Sequence, residues 1–190
     1  YRLDVLFNPG FTAPVFAPCP QVTVFHDLQH KRHPEYFRWF DLPFWRLLLW
    51  ASAHRSRQLI AVSEATRTDL LRYYSIPSER IQVVHHGVDP AFFSIDRRPA
   101  PDPYLLCVST LHPHKNIERL IRVYARGKRG RRLVLAGIKG FQAAAIEALV
   151  RELQIEKHVT LTGWVTRRVL LDLYAQADAF IYPSTFEGFG

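Results

Sequence analysis

Apolar residues in the second half of the chain follow two alternating rhythms. YLLCVS (104–109), RLVLAG (132–137), VTLTG (159–163) and AFIYPS (179–184) are short, nearly continuous apolar runs, as expected of strands buried on both faces. Between these runs the spacing lengthens to a helical period. Ile117, Leu120, Ile121 and Tyr124 share one face, as do Ile146, Leu149, Val150 and Leu153, and Val169, Leu170, Leu173 and Tyr174 form a third stripe. Asn116 is placed to cap the first of these helices, Gly127 to end it, and Thr166 to cap the third. Strands alternating with helices of this length predict right-handed βαβ units on a parallel sheet.

The first half repeats the pattern less regularly. LDVLF (3–7), QVTVF (21–25), LIAVS (59–63) and IQVVHH (81–86) predict strands, with helices near 43–56 and 64–74, the latter capped by Ser63. GVDPAFFSIDRRPAPDP has turn formers and no period, and reads as a linker. The fold class is therefore α/β, with two Rossmann-like domains at 1–95 and 96–190. The chain has no methionine and stops at EGFG, so a fragment truncated at both ends is the expectation.

Composition narrows the chemistry. Two cysteines, Cys19 and Cys107, make no disulfide framework, and Cys107 lies in an apolar run that predicts a buried thiol. A reducing, cytoplasmic setting follows as the default. LPFWRLLLWASA (42–53) is too short for a bilayer span of roughly 20 residues. The net charge of +8 suggests an anionic partner: nucleic acid, a phosphorylated small molecule or acidic lipid. Dispersed charge and the lack of nucleic-acid-binding motifs weigh against nucleic acid.

HDLQH (26–30) looks like a variant of the zinc-protease motif, with His33 close behind. That motif needs both histidines on one helix, whereas His26 follows the strand QVTVF and sits at its carboxyl end. No metal is expected. Ligands bind open α/β sheets beyond the carboxyl ends of the strands, where a histidine can donate a hydrogen bond or take a proton. In VSTLHPHKNIERL (108–120) a strand leads through a short loop to a helix, with Lys115 just before it; an ammonium and free helix amides make an anion site. In YPSTFEGFG (182–190), glycines allow close backbone approach beside the carboxylate of Glu187.

Together, TVFHDL, LIAVSEATRTDLLRYYSIPSERIQVVHHGVD, YLLCVSTLHPHKNIERLI, LVLAG, VTLTGWV and YAQADAFIYPSTFEGFG resemble the retaining GT-B glycosyltransferases of group one, in the family's order and over nearly the whole chain. The wording is most similar to the mannosyltransferase-like branch that builds bacterial polysaccharides. The resemblance implies hexosyl transfer from a GDP- or UDP-linked sugar to a glycan or lipid-linked acceptor, with retention and no cofactor beyond the donor. It places His26 near the reacting carbon, Lys115 and Asn116 at the diphosphate and Glu187 on the sugar hydroxyls. Gly188, Phe189 and Gly190 would lead into a phosphate-binding helix, and Gly163 and Trp164 would line the nucleoside pocket. A sugar epimerase, or a basic nucleic-acid-binding module, is the alternative.

Some positions depart from the family. No arginine precedes Lys115 in STLHPH, His86 replaces the usual asparagine, the N-terminal glycine-rich loop is absent, and a second glutamate would fall at position 195, past the chain. This chain alone is therefore expected to lack competent donor binding and turnover. Finally, residues 30–57 mix Lys31, Arg38 and Arg46 with Trp39, Phe44 and Trp50. Burial of the 44–53 helix is the favoured reading; peripheral contact with an anionic inner membrane face is the second.

Overall fold

The structure, a computed structural model, describes residues 2–98, 100–127, 130–138, 140 and 142–190. By contacts the chain divides into two units: Tyr1–Gly87 together with Glu187–Gly190, and Val88–Phe186.

The first unit carries a parallel sheet in the order β1 (Leu6–Asn8), β2 (Gln21–Phe25), β3 (Gln58–Ala61), β4 (Ile81–Val83). A short helix α1 (Gln29–Arg32) and a longer α2 (Leu42–Arg55) connect β2 to β3; α3 (Glu64–Tyr74) connects β3 to β4. β1 is shorter than LDVLF predicts, because its pairing with β2 begins only at Leu6↔Gln21. Ser63 caps α3 as expected, its Oγ accepting from Thr66 N. Phe25, Leu28, Leu59, Leu70 and Ile76 form the core under these helices. Fully burying a side chain of this size contributes about 1.5–3 kcal/mol.

The second unit carries the parallel order β7 (Val159–Gly163), β6 (Arg132–Ala136), β5 (Tyr104–Val108), β8 (Ala179–Phe180). Its crossovers are α4 (Ile117–Arg126), α5 (Ala143–Glu152) and α6 (Arg167–Gln176). Alternation along the strands splits its core in two. Cys107, Leu133 and Leu135 pack with Ile117, Ile121, Ile146 and Leu149 of α4 and α5. Their neighbours Leu106, Val134 and Ala136 pack with Leu173 and Tyr174 of α6, so helices cover both faces. Cys107 is buried as predicted, and burial pushes its thiol up to about 11. Val169, assigned to the α6 stripe, is instead exposed, because α6 meets the sheet only through its C-terminal half.

Two local expectations are corrected. Asn116 occupies the N-cap position of α4 with a left-handed backbone (φ 56°), but makes no side-chain cap. Its Nδ2 donates instead to Pro183 O at 3.2 Å. The second correction concerns α2, which is not buried all round. Leu49, Ser52 and Ala53 face the core, whereas Phe44, Leu47 and Trp50 are 64, 65 and 46 % exposed. Leucine and alanine favour the helix and Pro43 suits its first turn, but these crossover residues have a core on one side only.

Candidate functional site

The second unit has a topological switch point. The chain runs from β5 outward to β6 and β7, then returns to place β8 on the other side of β5. The carboxyl ends of β5 and β8, from which two loops leave, therefore lie side by side where the strand order reverses, the place at which open α/β sheets bind ligands. Lys115 and Asn116 come from the first loop; Tyr182, Pro183 and Ser184 come from the second. Thr185 N donates to His114 O at 2.8 Å and ties the loops together. Lys115 Nζ donates to Tyr182 Oη at 3.2 Å and lies 5.4 Å from the centre of its ring.

Lys115 stands at the positive end of α4, where the helix dipole disfavours a cation unless an anion joins it. The Ser184 hydroxyl, buried beside this loop, has no hydrogen-bond partner among the described residues. A buried hydroxyl left unpaired costs about 1–3 kcal/mol, so a ligand oxygen there recovers a bond the protein does not make. Neither Tyr182 nor Ser184 was assigned a role from sequence, because what brings them to Lys115 is strand order.

Gly163 ends β7 with φ +69°, and its carbonyl accepts from Gly137 N at 3.0 Å. With Ser109, Leu111, Gly137 and Glu147 it lines a small pocket at the carboxyl ends of β5, β6 and β7. Trp164 is 71 % exposed and is not among that lining.

In the first unit the candidate residues gather at the carboxyl end of β2. The Glu187–Gly190 segment packs there: Gly188 O accepts from Ser63 Oγ and lies 3.2 Å from Thr66 Oγ1. A Cβ on Gly188 would stand 1.7 Å from His26 O, so only glycine fits. Phe189 packs its ring on His86 at 5.3 Å and on His85 at 5.8 Å. Burial raises the pKa of Asp27 above its ordinary value, against a backbone hydrogen bond from Gln29 and the charge of His26; Glu187 adds to the rise. We expect Gly188→Ala to release residues 187–190 and abolish the ring-current shifts of Phe189 on His85 and His86, read by NMR.

The three imidazoles of 26–33 find separate partners. His26 Nε2 meets Pro9 O at 2.9 Å and its Nδ1 meets His86 Nε2 at 3.1 Å; His30 Nε2 meets Tyr74 Oη at 2.7 Å; His33 pairs with Glu35. Among the described residues no group of three or more His, Cys, Asp or Glu is placed to hold a metal.

A carbonyl only accepts, so His26 carries its proton on Nε2. In the neutral pair, His26 Nδ1 then accepts from His86 Nε2–H. Both ring nitrogens of His26 are thus engaged, and the nitrogen left to the pair is Nδ1 of His86. The sequence marks His86 only as a departure from the family; His26 and His86 meet because they follow β2 and β4, which end at the same edge of the sheet on either side of β3.

The chain belongs to the family of glycosyl transferases group 1, whose sequence profile matches residues 89–190. Residues 1–92 match the profile of glycosyltransferase family 4. The chain is 28 % identical, over 170 residues, to the O-antigen chain mannosyltransferase RfbU of Salmonella typhimurium, covering 90 % of this chain and 47 % of that protein. It is 29 % identical to O-antigen chain mannosyltransferase B of Escherichia coli, over 89 % of this chain and 48 % of the relative. It thus spans about half the length of these curated relatives. The crystal structure of HepE from Anabaena, in complex with UDP and glucose, superposes with a TM-score of 0.72 at 21 % identity, covering 90 % of this chain and 48 % of that one. Two Rossmann-like α/β units on parallel sheets are the organisation of the GT-B fold.

Proposed function

We propose that this chain is part of a hexosyltransferase that moves a sugar, mannose by similarity, from a nucleoside diphosphate to a glycan or lipid-linked acceptor with retention, on the cytoplasmic side of the membrane. The observation that carries the reading is the switch-point cluster. An ammonium, the first amides of α4 and a buried hydroxyl without a partner among the described residues lie on the two touching loops at the ends of β5 and β8, and all three suit phosphate oxygens.

In this reading Lys115 and the α4 amides take up the charge that grows on the departing diphosphate. Ser184 donates to one of its oxygens. Gly163, with Trp164 beyond it, faces the nucleoside, and Glu187 accepts from hydroxyls of the sugar. The first unit holds the acceptor, with His26 oriented by Pro9 and His86 presenting the working nitrogen. Names of relatives support the mannosyl assignment, and the UDP seen in HepE supports a nucleoside diphosphate.

Titration with GDP and UDP, followed by amide NMR, tests the site. Millimolar binding should shift the amides of Lys115, Asn116 and Ser184. Lys115→Gln should weaken it by roughly 10- to 100-fold and Ser184→Ala by roughly fivefold, as expected for bonds to a charged ligand. Nucleotide shifts that map elsewhere and ignore Lys115→Gln would sink the reading. A protein that continues through position 195 is the one in which to measure transfer. There His86→Asn should alter the pH profile of turnover, while a conservative hydrogen-bonding role would leave it unmoved.

A further inference from the structure

We propose that Ser63 and Thr66 are positioning residues: two hydroxyls at the start of α3 hold the carbonyls of Gly188 and His26, and so fix where Glu187 stands relative to the His26–His86 pair. The inference deepens the proposed function and rests on it for what Glu187 accepts from. Residues three apart on a helix share a face, which brings both hydroxyls to the same two carbonyls. Ser63 Oγ meets Gly188 O, and Thr66 Oγ1 lies 3.1 Å from His26 O and 3.2 Å from Gly188 O.

A hydroxyl has one proton to donate and two lone pairs that accept. Ser63 Oγ accepts from Thr66 N at 3.1 Å, which is all that capping the helix requires. Its proton is therefore spare, and Gly188 O takes it. The Thr66 proton goes to His26 O, the shorter of its two contacts. Thr66 is 2 % exposed, and its β-branched side chain gains nothing for the helix itself.

Holding this segment works against a repulsion. Gly188 lies so close to His26 that a Cβ would stand 1.7 Å from its carbonyl oxygen and 2.9 Å from Asp27 Cβ. The Glu187 carboxylate is thereby set near the Asp27 carboxyl, and adds to the rise in pKa that burial imposes there. Two like groups stay this near only where neighbouring atoms tie them. Ser63 supplies one tie at Gly188, and the rings of His85 and His86 supply another at Phe189.

Ser63→Asp separates the two tasks of Ser63, because a carboxylate still caps α3 but has no proton for Gly188 O. By NMR of this chain it should erase the ring-current shifts of Phe189 on His85 and His86, while circular dichroism stays unchanged. Ser63→Thr should restore them. Thr66→Val is neutral, so repulsion plays no part in its effect; it should move the ring signals of His26 and leave Phe189 in place, and Thr66→Ser should return them. In a protein that continues through position 195, Ser63→Asp should weaken GDP-mannose roughly tenfold and leave GDP unchanged, whereas Lys115→Gln weakens both. Phe189 shifts that persist in Ser63→Asp, or equal weakening of GDP and GDP-mannose by that variant, would overturn the proposal. Nucleotides that bind without regard to Lys115 would instead sink the transfer reading, and the positioning would still stand or fall on the NMR of the free chain.

Discussion

Acidification from pH 6.5 to about 4 should remove about 3 kcal/mol of stability from the first unit, through one histidine. His30 is 2 % exposed and burial pulls its pKa down from 6.5 to about 4; the charges of Lys31 and Arg46 add to the shift. Burial also pushes the Tyr74 hydroxyl up, so it keeps its proton and shares a hydrogen bond with Nε2 of the neutral His30. Above pH 6.5 His30 is neutral whether the chain is folded or unfolded, and the contribution is complete. Between 6.5 and 4 the unfolded chain binds the proton and the folded chain does not, so stability falls as pH falls. Asp27, its pKa raised by burial, works in the opposite sense, because the folded state binds its proton first. Urea unfolding at pH 7.5 and 4.5 should therefore be compared between the wild type and His30→Gln. The difference between the two slopes isolates His30, and parallel slopes would refute the assignment.

Gly137→Ala should cost the second unit about 3 kcal/mol or more, lowering its unfolding midpoint by roughly 15 °C. Gly137 leaves β6 with φ +143°, a region essentially closed to residues with a side chain. A Cβ there would stand 2.1 Å from Ser109 O and 2.7 Å from its carbonyl carbon, both backbone atoms in the chain leaving β5. Neither the rotation nor the collision can be relieved by a side-chain movement. Gly163→Ala provides the scale. Its φ is +69° but a Cβ would meet nothing within 4 Å, so only the left-handed strain of about 1–2 kcal/mol should appear. Thermal unfolding of the two variants side by side checks the prediction. Equal losses would mean that the contact with Ser109 carries no weight.

Local structure was legible where local forces decide it. QVTVF, VTLTG and the helix at 64–74 appear with the predicted bounds, because β-branched alternation and a serine cap act over a few residues. The strand expected at 3–7 begins late and the one at 179–184 ends early. Strand ends are set by the length of the partner, which the local pattern does not contain. Asn116 satisfies every local rule for a cap, yet turns its side chain to Pro183, a residue far along the chain.

The sequence by itself determined the alternation of strands and helices and the buried thiol of Cys107, and it named His26, Lys115 and Glu187 as site candidates. Only the tertiary structure decided what these residues meet. The order β7-β6-β5-β8 sets the loop of Ser184 beside the loop of Lys115, β2 and β4 end on either side of β3 and bring His86 to His26, and the single-sided core under α2 turns Leu47 outward. Periodicity says that a face is apolar and motifs say which chemistry is present. Which partner each finds depends on contacts between segments distant in sequence, where packing and strand order outweigh local preference.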